Sequence, residues 1–182
     1  MSVISLPEPI RMAKARGHLV FGRSRSANLI VIRGPGGPGD WDGLCTLSWV
    51  DGPGWVSHAW PCATRPGIPY LQAPINPLGT AMLQPGQHRL SHAIGLHRGM
   101  PALVQVAPSL PVLRDPDRDA HHEPSLPSTG TGLNVHRVSS PSALAGCVGL
   151  LGAHTEQLIA ACRLLAGTEY QGDRFTLTLI EA

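Results

Sequence analysis

Residues 28–60, NLIVIRGPGGPGDWDGLCTLSWVDGPGWVSHAW, read as short apolar runs cut by glycine and proline. NLIVIR (28–33) is a buried strand, and GPGGPGD (34–40), with no apolar periodicity, is loop. LCTLSWV (44–50) and WVSHAW (55–60) flank Asp51-Gly52-Pro53-Gly54 at the spacing of a hairpin. A loop of Pro53-Gly54 alone sets Cys45 opposite Cys62, whereas a four-residue loop sets Cys45 opposite Trp60. Pro-Gly favours type II geometry, which suits hairpins poorly, so spacing assigns no disulfide. All four tryptophans (Trp41, Trp49, Trp55, Trp60) fall in or beside this hairpin. They serve either as packing in a chain short of other aromatics or as a ligand platform.

The rest of the chain repeats the pattern. Its 182 residues hold 21 Gly and 18 Pro, which break it into short elements and argue against a helical bundle. Charged residues make up only 14% and apolar ones 42%, so neither a disordered polyampholyte nor a coiled coil fits. EPIRMAKAR (8–16) is a short helix stopping at Gly17, and 61–87, rich in proline, is an extended connection folded over the sheet. HRLSHAIGL (88–96), PALVQVA (101–107) and PVLR (111–114) are strands, with His88 and His92 on a solvated face. Residues 115–131 are polar loop, GLNVH (132–136) and GCVGLL (146–151) resume the sheet, and TEQLIAACRLL (155–165) is a helix capped by Thr155 and ended by Gly167. Leu158, Ile159, Cys162 and Leu165 share its apolar face. RFTLTLIEA closes the chain as a half-buried strand, Phe175, Leu177 and Leu179 alternating with Thr176 and Thr178. The expected fold is one α+β domain, 1–182, predominantly β: an N-terminal helix and arm over 1–27, then a β-rich domain over 28–182.

Net charge is +2, with 13 Arg and one Lys, too little for a nucleic-acid or anionic-lipid footprint. No apolar run approaches the ~18 residues of a membrane span. The start, MSVISLPEPIRMAKARG, lacks the basic-then-apolar order of a signal peptide.

The residues with the most chemistry lie in GLNVHRVSSPSALAGCVGL (132–150). His136 ends a strand and Cys147 follows Gly146 after a Ser/Pro loop. A cysteine nucleophile needs a base or cation, because a free thiol near pKa ~8.5 is mostly protonated at neutral pH. His136 is the nearest base in sequence. Main-chain N–H groups around Gly146 and Cys147 can bind an oxyanion, with Gly146 allowing close approach, and Asn134, on the His136 face, can orient the imidazole. The other reading of the same residues is a small buried hydrophobe and a hydrogen-bonded strand histidine.

A set of ordered motifs separates the two. Pro85-Gly86-Gln87-His88-Arg89, Gly95-Leu96-His97-Arg98-Gly99 with Ala102-Leu103-Val104-Gln105, Arg114-Asp115-Pro116-Asp117-Arg118-Asp119, Gly132-Leu133-Asn134-Val135-His136, Ala145-Gly146-Cys147 and Phe175-Thr176-Leu177-Thr178-Leu179 follow one another along the chain. In this the chain resembles cysteine L,D-transpeptidase domains, and more closely a phage and prophage subgroup of them, over about residues 66–180. The resemblance implies an L,D-transpeptidase-like β-sandwich with Cys147 as nucleophile, His136 as base and Gly146 shaping the oxyanion turn. It implies bacterial peptidoglycan stem peptides as substrate, attacked through a thioester without cofactor or metal. The protein would then be virion-associated, or held in host cytoplasm before release to the cell wall. Two positions depart from the pattern: Leu144 stands where the family has Ser, and Gly149 where it has Arg. Arg98 or Arg137 can stand in for that cation, and His97 can line the cleft as a substrate-binding residue.

A structural or adaptor domain of a virion, contacting other virion proteins, is the reading from a different class; a glycan-binding module using the tryptophans is a third. Asp115, Asp117 and Asp119 alternate as in calcium loops, but Ala120 and Leu126 stand where such loops need Gly and Glu. His121-His122-Glu123 lacks zinc-ligand spacing. Cys162 and Cys45 read as core residues.

Overall fold

The computed structural model describes residues 5–67, 81–114, 124–168 and 172–182. The chain is α+β and mostly β, as expected. Helix α1 is Glu8–Ala15, followed by strands β1 (Asn28–Arg33), β2 (Gly43–Asp51) and β3 (Gly54–Cys62). Then come β4 (Ala81–Leu83), β5 (Gly86–His97), β6 (Met100–Gln105), β7 (Leu110–Arg114) and β8 (Leu126–Gly130). β9 (Val135–Arg137), β10 (Val148–Leu150), α2 (Gly152–Leu165) and β11 (Arg174–Glu181) complete it. Eight strands form one sheet in the order β10-β9-β6-β5-β11-β1-β2-β3, and β4-β7-β8 form a second. The large sheet curls until its ends meet: just past β3, Ala63 exchanges hydrogen bonds of 2.8 and 2.9 Å with Gly149 of β10.

β1 lies parallel to β11 and antiparallel to β2, inside the sheet, which is why NLIVIR reads as an almost unbroken apolar run. Leu29 and Val31 face the main core, where Leu158, Ile159, Cys162 and Leu165 of α2 meet Leu47, Leu103, Val135, Phe175 and Leu177. Leu83, Leu110 and Val112 bring the small sheet to the same core. Ile30 faces the other way, with Ile180, onto Ile10 and Ala13 of α1.

Several expectations need correction. β11 is buried on both faces rather than half-buried, because α1 and the strap after it cover the second face. Gln87 ties down that strap through Leu19, and the Thr178 and Thr176 hydroxyls accept from Gln87 Nε2 and the Leu90 N–H. His88 and His92 are buried, not solvated. Leu90, at φ +47°, sits where the β5–β11 register slips, so simple alternation fails along this strand. The polar loop of 115–131 contains β8, an edge strand that tolerates Pro127. β4 lies inside what reads as plain connection. α2 starts at Gly152 without a side-chain cap, and the Thr155 hydroxyl instead bonds back to the Leu151 carbonyl at 3.0 Å.

The hairpin takes the second of its two registers: Cys45 pairs with Trp60, Asp51 with Gly54, and Gly52 (φ +56°) takes the first loop position, where type II′ turns place glycine. Cys45 and Cys62 are free, and Cys45, wholly buried, is pushed up to about 12. The tryptophans form no single platform. Trp60 is buried and donates to Gln157 of α2 at 2.8 Å, Trp49 packs on the main core, Trp55 packs with the α1 cluster, and Trp41 is in a loop.

One buried charge fastens the chain's distant parts. Arg33, with a wholly buried side chain, donates to Thr64 Oγ1 (2.9 Å), the Leu83 carbonyl (2.8 Å) and Glu181 Oε1 (3.2 Å). Thr64 in turn donates to both oxygens of buried Asp42, at 2.6 and 2.5 Å, and Asp42 also holds Arg65 at 2.6 Å. Arg33→Leu strands the Leu83 and Thr64 oxygens without a donor and should lower unfolding free energy by about 3 kcal/mol. Glu181→Gln, at a half-exposed partner, should cost under about 1 kcal/mol in the same denaturation experiment. Equal losses would show that the carboxylate, not the buried oxygens, is what Arg33 serves.

Candidate functional site

The end of the curled sheet where β9 and β10 run side by side carries the reactive groups. Parallel pairing sets Val148 beside Val135 and Gly149 beside His136, so Cys147 falls next to Asn134 at the rim. His97 arrives from β5, whose tight Arg98-Gly99 turn to β6 has φ of +50° and +80°, the left-handed pair of a type I′ hairpin. His97, Arg98, His136, Arg137, Ala145 and Cys147 line one groove of about 370 Å³. No carboxylate lies on it among the described residues.

The Cys147 sulfur is held by the loop before β9. Its S–H donates to the Gly132 carbonyl and it accepts the Asn134 main-chain N–H, each at 3.4 Å. Burial raises the thiol pKa; the Asn134 N–H and the Arg98 guanidinium pull the other way and do not offset it. The resting sulfur is therefore a thiol, not the ready-made thiolate expected of an activated cysteine. Burial also lowers His136, with His97 and Arg98 adding to the effect, so the imidazole is neutral. Its Nδ1 lies 2.8 Å from the Arg137 carbonyl, which can only accept; Nδ1 carries the proton and Nε2 is the base.

Asn134 is placed differently from the sequence reading. Its amide does not orient His136; Nδ2 lies 2.9 Å from His97 Nδ1, and the His97 and His136 rings stand 4.2 Å apart. Gly146 also has another task. It is buried at φ +141°, and a Cβ there would fall 1.6 Å from the Ala81 carbonyl oxygen, so close packing on β4 demands glycine and leaves no room for substrate on that side.

The two departures from the transpeptidase pattern prove to be one packing unit. A Cβ on Gly149 would lie 2.9 Å from Val138 and 3.0 Å from Leu144, both buried, so an arginine at 149 is excluded where leucine fills 144. Arg98 carries positive charge to the groove from the opposite hairpin, while Arg137 lies across Gly152 at the start of α2.

Two residues that sequence reading left without a role hold this arrangement. Gln105 donates its main-chain N–H to Asn134 Oδ1 and accepts the Leu133 N–H on its side chain, both at 2.9 Å. His92 bonds the Leu133 carbonyl at 2.8 Å through Nε2. The only sequence signal was Gln105 in the ALVQ run and His92 in an apparently polar strand. Asp115, Asp117, Asp119 and His121-His122-Glu123 lie outside the described residues; among the described ones no cluster of three His, Cys, Asp or Glu is set to hold a metal. Comparison with protein-family models, with curated proteins and with solved structures finds no match.

Burial holds His92 down to about 4, against an ordinary 6.5. In acid the unfolded chain takes up this proton first, so the His92 contribution is complete above pH 6.5 and fades as pH falls toward 4, by about 3 kcal/mol in all. His92→Gln should flatten the stability-against-pH curve by that amount over this range in urea titrations. An unchanged slope would place the linkage elsewhere.

Proposed function

We propose that the protein is a cysteine acyl-transfer enzyme acting on peptide, with Cys147 as nucleophile and His136 as general base, on an L,D-transpeptidase-like scaffold. The observation that carries this is the shared groove: a thiol, a neutral imidazole with Nε2 unprotonated, and two arginines, with no carboxylate lining it among the described residues. The motif resemblance points to peptidoglycan stem peptides as the substrate class and to a phage or prophage cell-wall protein as the setting.

The chemistry follows from the protonation states. The sulfur rests protonated with its S–H on the Gly132 carbonyl and no hydrogen bond to His136, so the S–H turns to His136 Nε2, which takes the proton as sulfur attacks the scissile carbonyl. The Asn134 N–H, already on the sulfur, stabilises the negative charge that grows there. Collapse of the tetrahedral species breaks the C–N bond, His136 returns the proton to the departing amine, and an acyl thioester remains. An amine then completes a transfer and water a hydrolysis. Arg98 and Arg137 give the groove an affinity for anionic parts of a peptide.

A second reading, a catalytically silent structural or adaptor domain of a virion, is favoured by one feature: the interlocked Leu144, Val138 and Gly149 supply neither the hydroxyl nor the guanidinium that the transpeptidase pattern has at positions 144 and 149. Turnover of purified peptidoglycan, followed by mass spectrometry of its peptides, separates the two. Wild type should change the peptides, Cys147→Ala should abolish the change, and His136→Ala should slow it by about 10²–10⁴-fold. Since His136 is depressed, the acid limb of the rate profile should lie below pH 6.5. Undiminished turnover by Cys147→Ala contradicts the assignment; a silent wild type supports the structural reading.

A further inference from the structure

We infer that His97 is a second catalytic imidazole, whose Nε2–H donates to the carbonyl oxygen as it becomes an oxyanion; this rests on the acyl-transfer reading of Cys147. The assignment comes from the hydrogen bonds alone. The Gln105 main-chain N–H can only donate and points at Asn134 Oδ1 at 2.9 Å, which fixes which end of the amide is oxygen. The other end, Nδ2, is therefore the NH₂ group facing His97 Nδ1 at 2.9 Å. An amide NH₂ can only donate, so His97 Nδ1 must be the acceptor and the ring proton sits on Nε2. His136 is the reverse, its Nδ1 proton spent on the Arg137 carbonyl. Two imidazoles with centroids 4.2 Å apart on one groove thus carry opposite tautomers, one offering a lone pair and the other an N–H.

That complement is what this groove needs. Leu144 replaces a hydroxyl, and no side chain fits at Gly149, so neither position supplies a donor to the reacting carbonyl, and of the serines in the loop before β10 only Ser139 lines the groove. His97 brings a donor from the β5–β6 hairpin. In the step itself the carbon–sulfur bond forms, the carbonyl π electrons move to oxygen, and that oxygen accepts the His97 Nε2–H, which stays on nitrogen throughout. The proton removed from Cys147 travels through His136 to the leaving group. Asn134 acts through His97 and is a positioning residue.

Two measurements test this. Long-range ¹H–¹⁵N NMR on the wild-type protein should find the His97 proton on Nε2, and in Asn134→Asp, whose carboxylate can only accept, on Nδ1. A wild-type ring protonated on Nδ1 overturns the inference. The second compares acylation by p-nitrophenyl acetate with alkylation of Cys147 by iodoacetamide, since alkylation develops no oxyanion. His97→Phe should slow acylation by about 10²-fold, with alkylation changed less than about threefold, and His97→Gln, which keeps a donor, should recover part of the loss. If His97→Phe acylates like wild type, or loses alkylation in parallel, the role is refuted while the nucleophile assignment stands. If wild type is alkylated at Cys147 but never acylated, the acyl-transfer reading fails and this inference falls with it.

Discussion

Gln105 grips the loop between β8 and β9 with its main-chain N–H on Asn134 Oδ1 and its side-chain oxygen on the Leu133 N–H, while His92 holds the Leu133 carbonyl from beneath. Nearly everything at the groove depends on this clamp. The same loop, residues 132–134, presents the Gly132 carbonyl and the Asn134 N–H to the Cys147 sulfur, and the amide whose orientation decides the His97 tautomer. A loop freed of these bonds could turn its amide over, and His97 would then offer a lone pair where the chemistry asks for a donor.

The clamp holds its place because the sheet curls. β9 and β10 sit at one end of the large sheet, and the Ala63–Gly149 bridge joins that end to the hairpin edge. Gly146 and Gly149 are both glycine for reasons of packing, one against the Ala81 main chain and the other against Val138 and Leu144. The site is therefore rigid on the side that carries the sulfur. Two of its polar residues, His97 and Arg98, come from the opposite hairpin, where a type I′ turn holds Arg98 at a backbone angle few arginines adopt.

What could be read in advance follows a physical line. NLIVIR, the tryptophan hairpin and the apolar face of α2 were legible because their burial follows a local period or a local turn. β4 and β8 were not, since three- and five-residue strands containing or flanking proline exist only by pairing with β7. The alternation read along β5 missed the register slip at Leu90 and so placed His88 and His92 on the wrong face. Within the site, Cys147, His136, His97, Arg98 and Arg137 were each visible as chemistry-bearing residues and do share the groove. Asn134 was visible too, but its partner was not, because strand spacing pointed to His136 whereas the long-range pairing of β6 with β9 delivers it to His97. Gln105 and His92 act only through such pairings, which no local pattern announces.

The central claim is that this thiol becomes acylated by peptide. Intact-protein mass spectrometry after incubation with a peptidoglycan stem tetrapeptide tests it most directly. The account predicts one added acyl mass on Cys147, removed by hydroxylamine as a thioester is. An unmodified chain, or an adduct on Cys45, Cys62 or Cys162 instead, would contradict it.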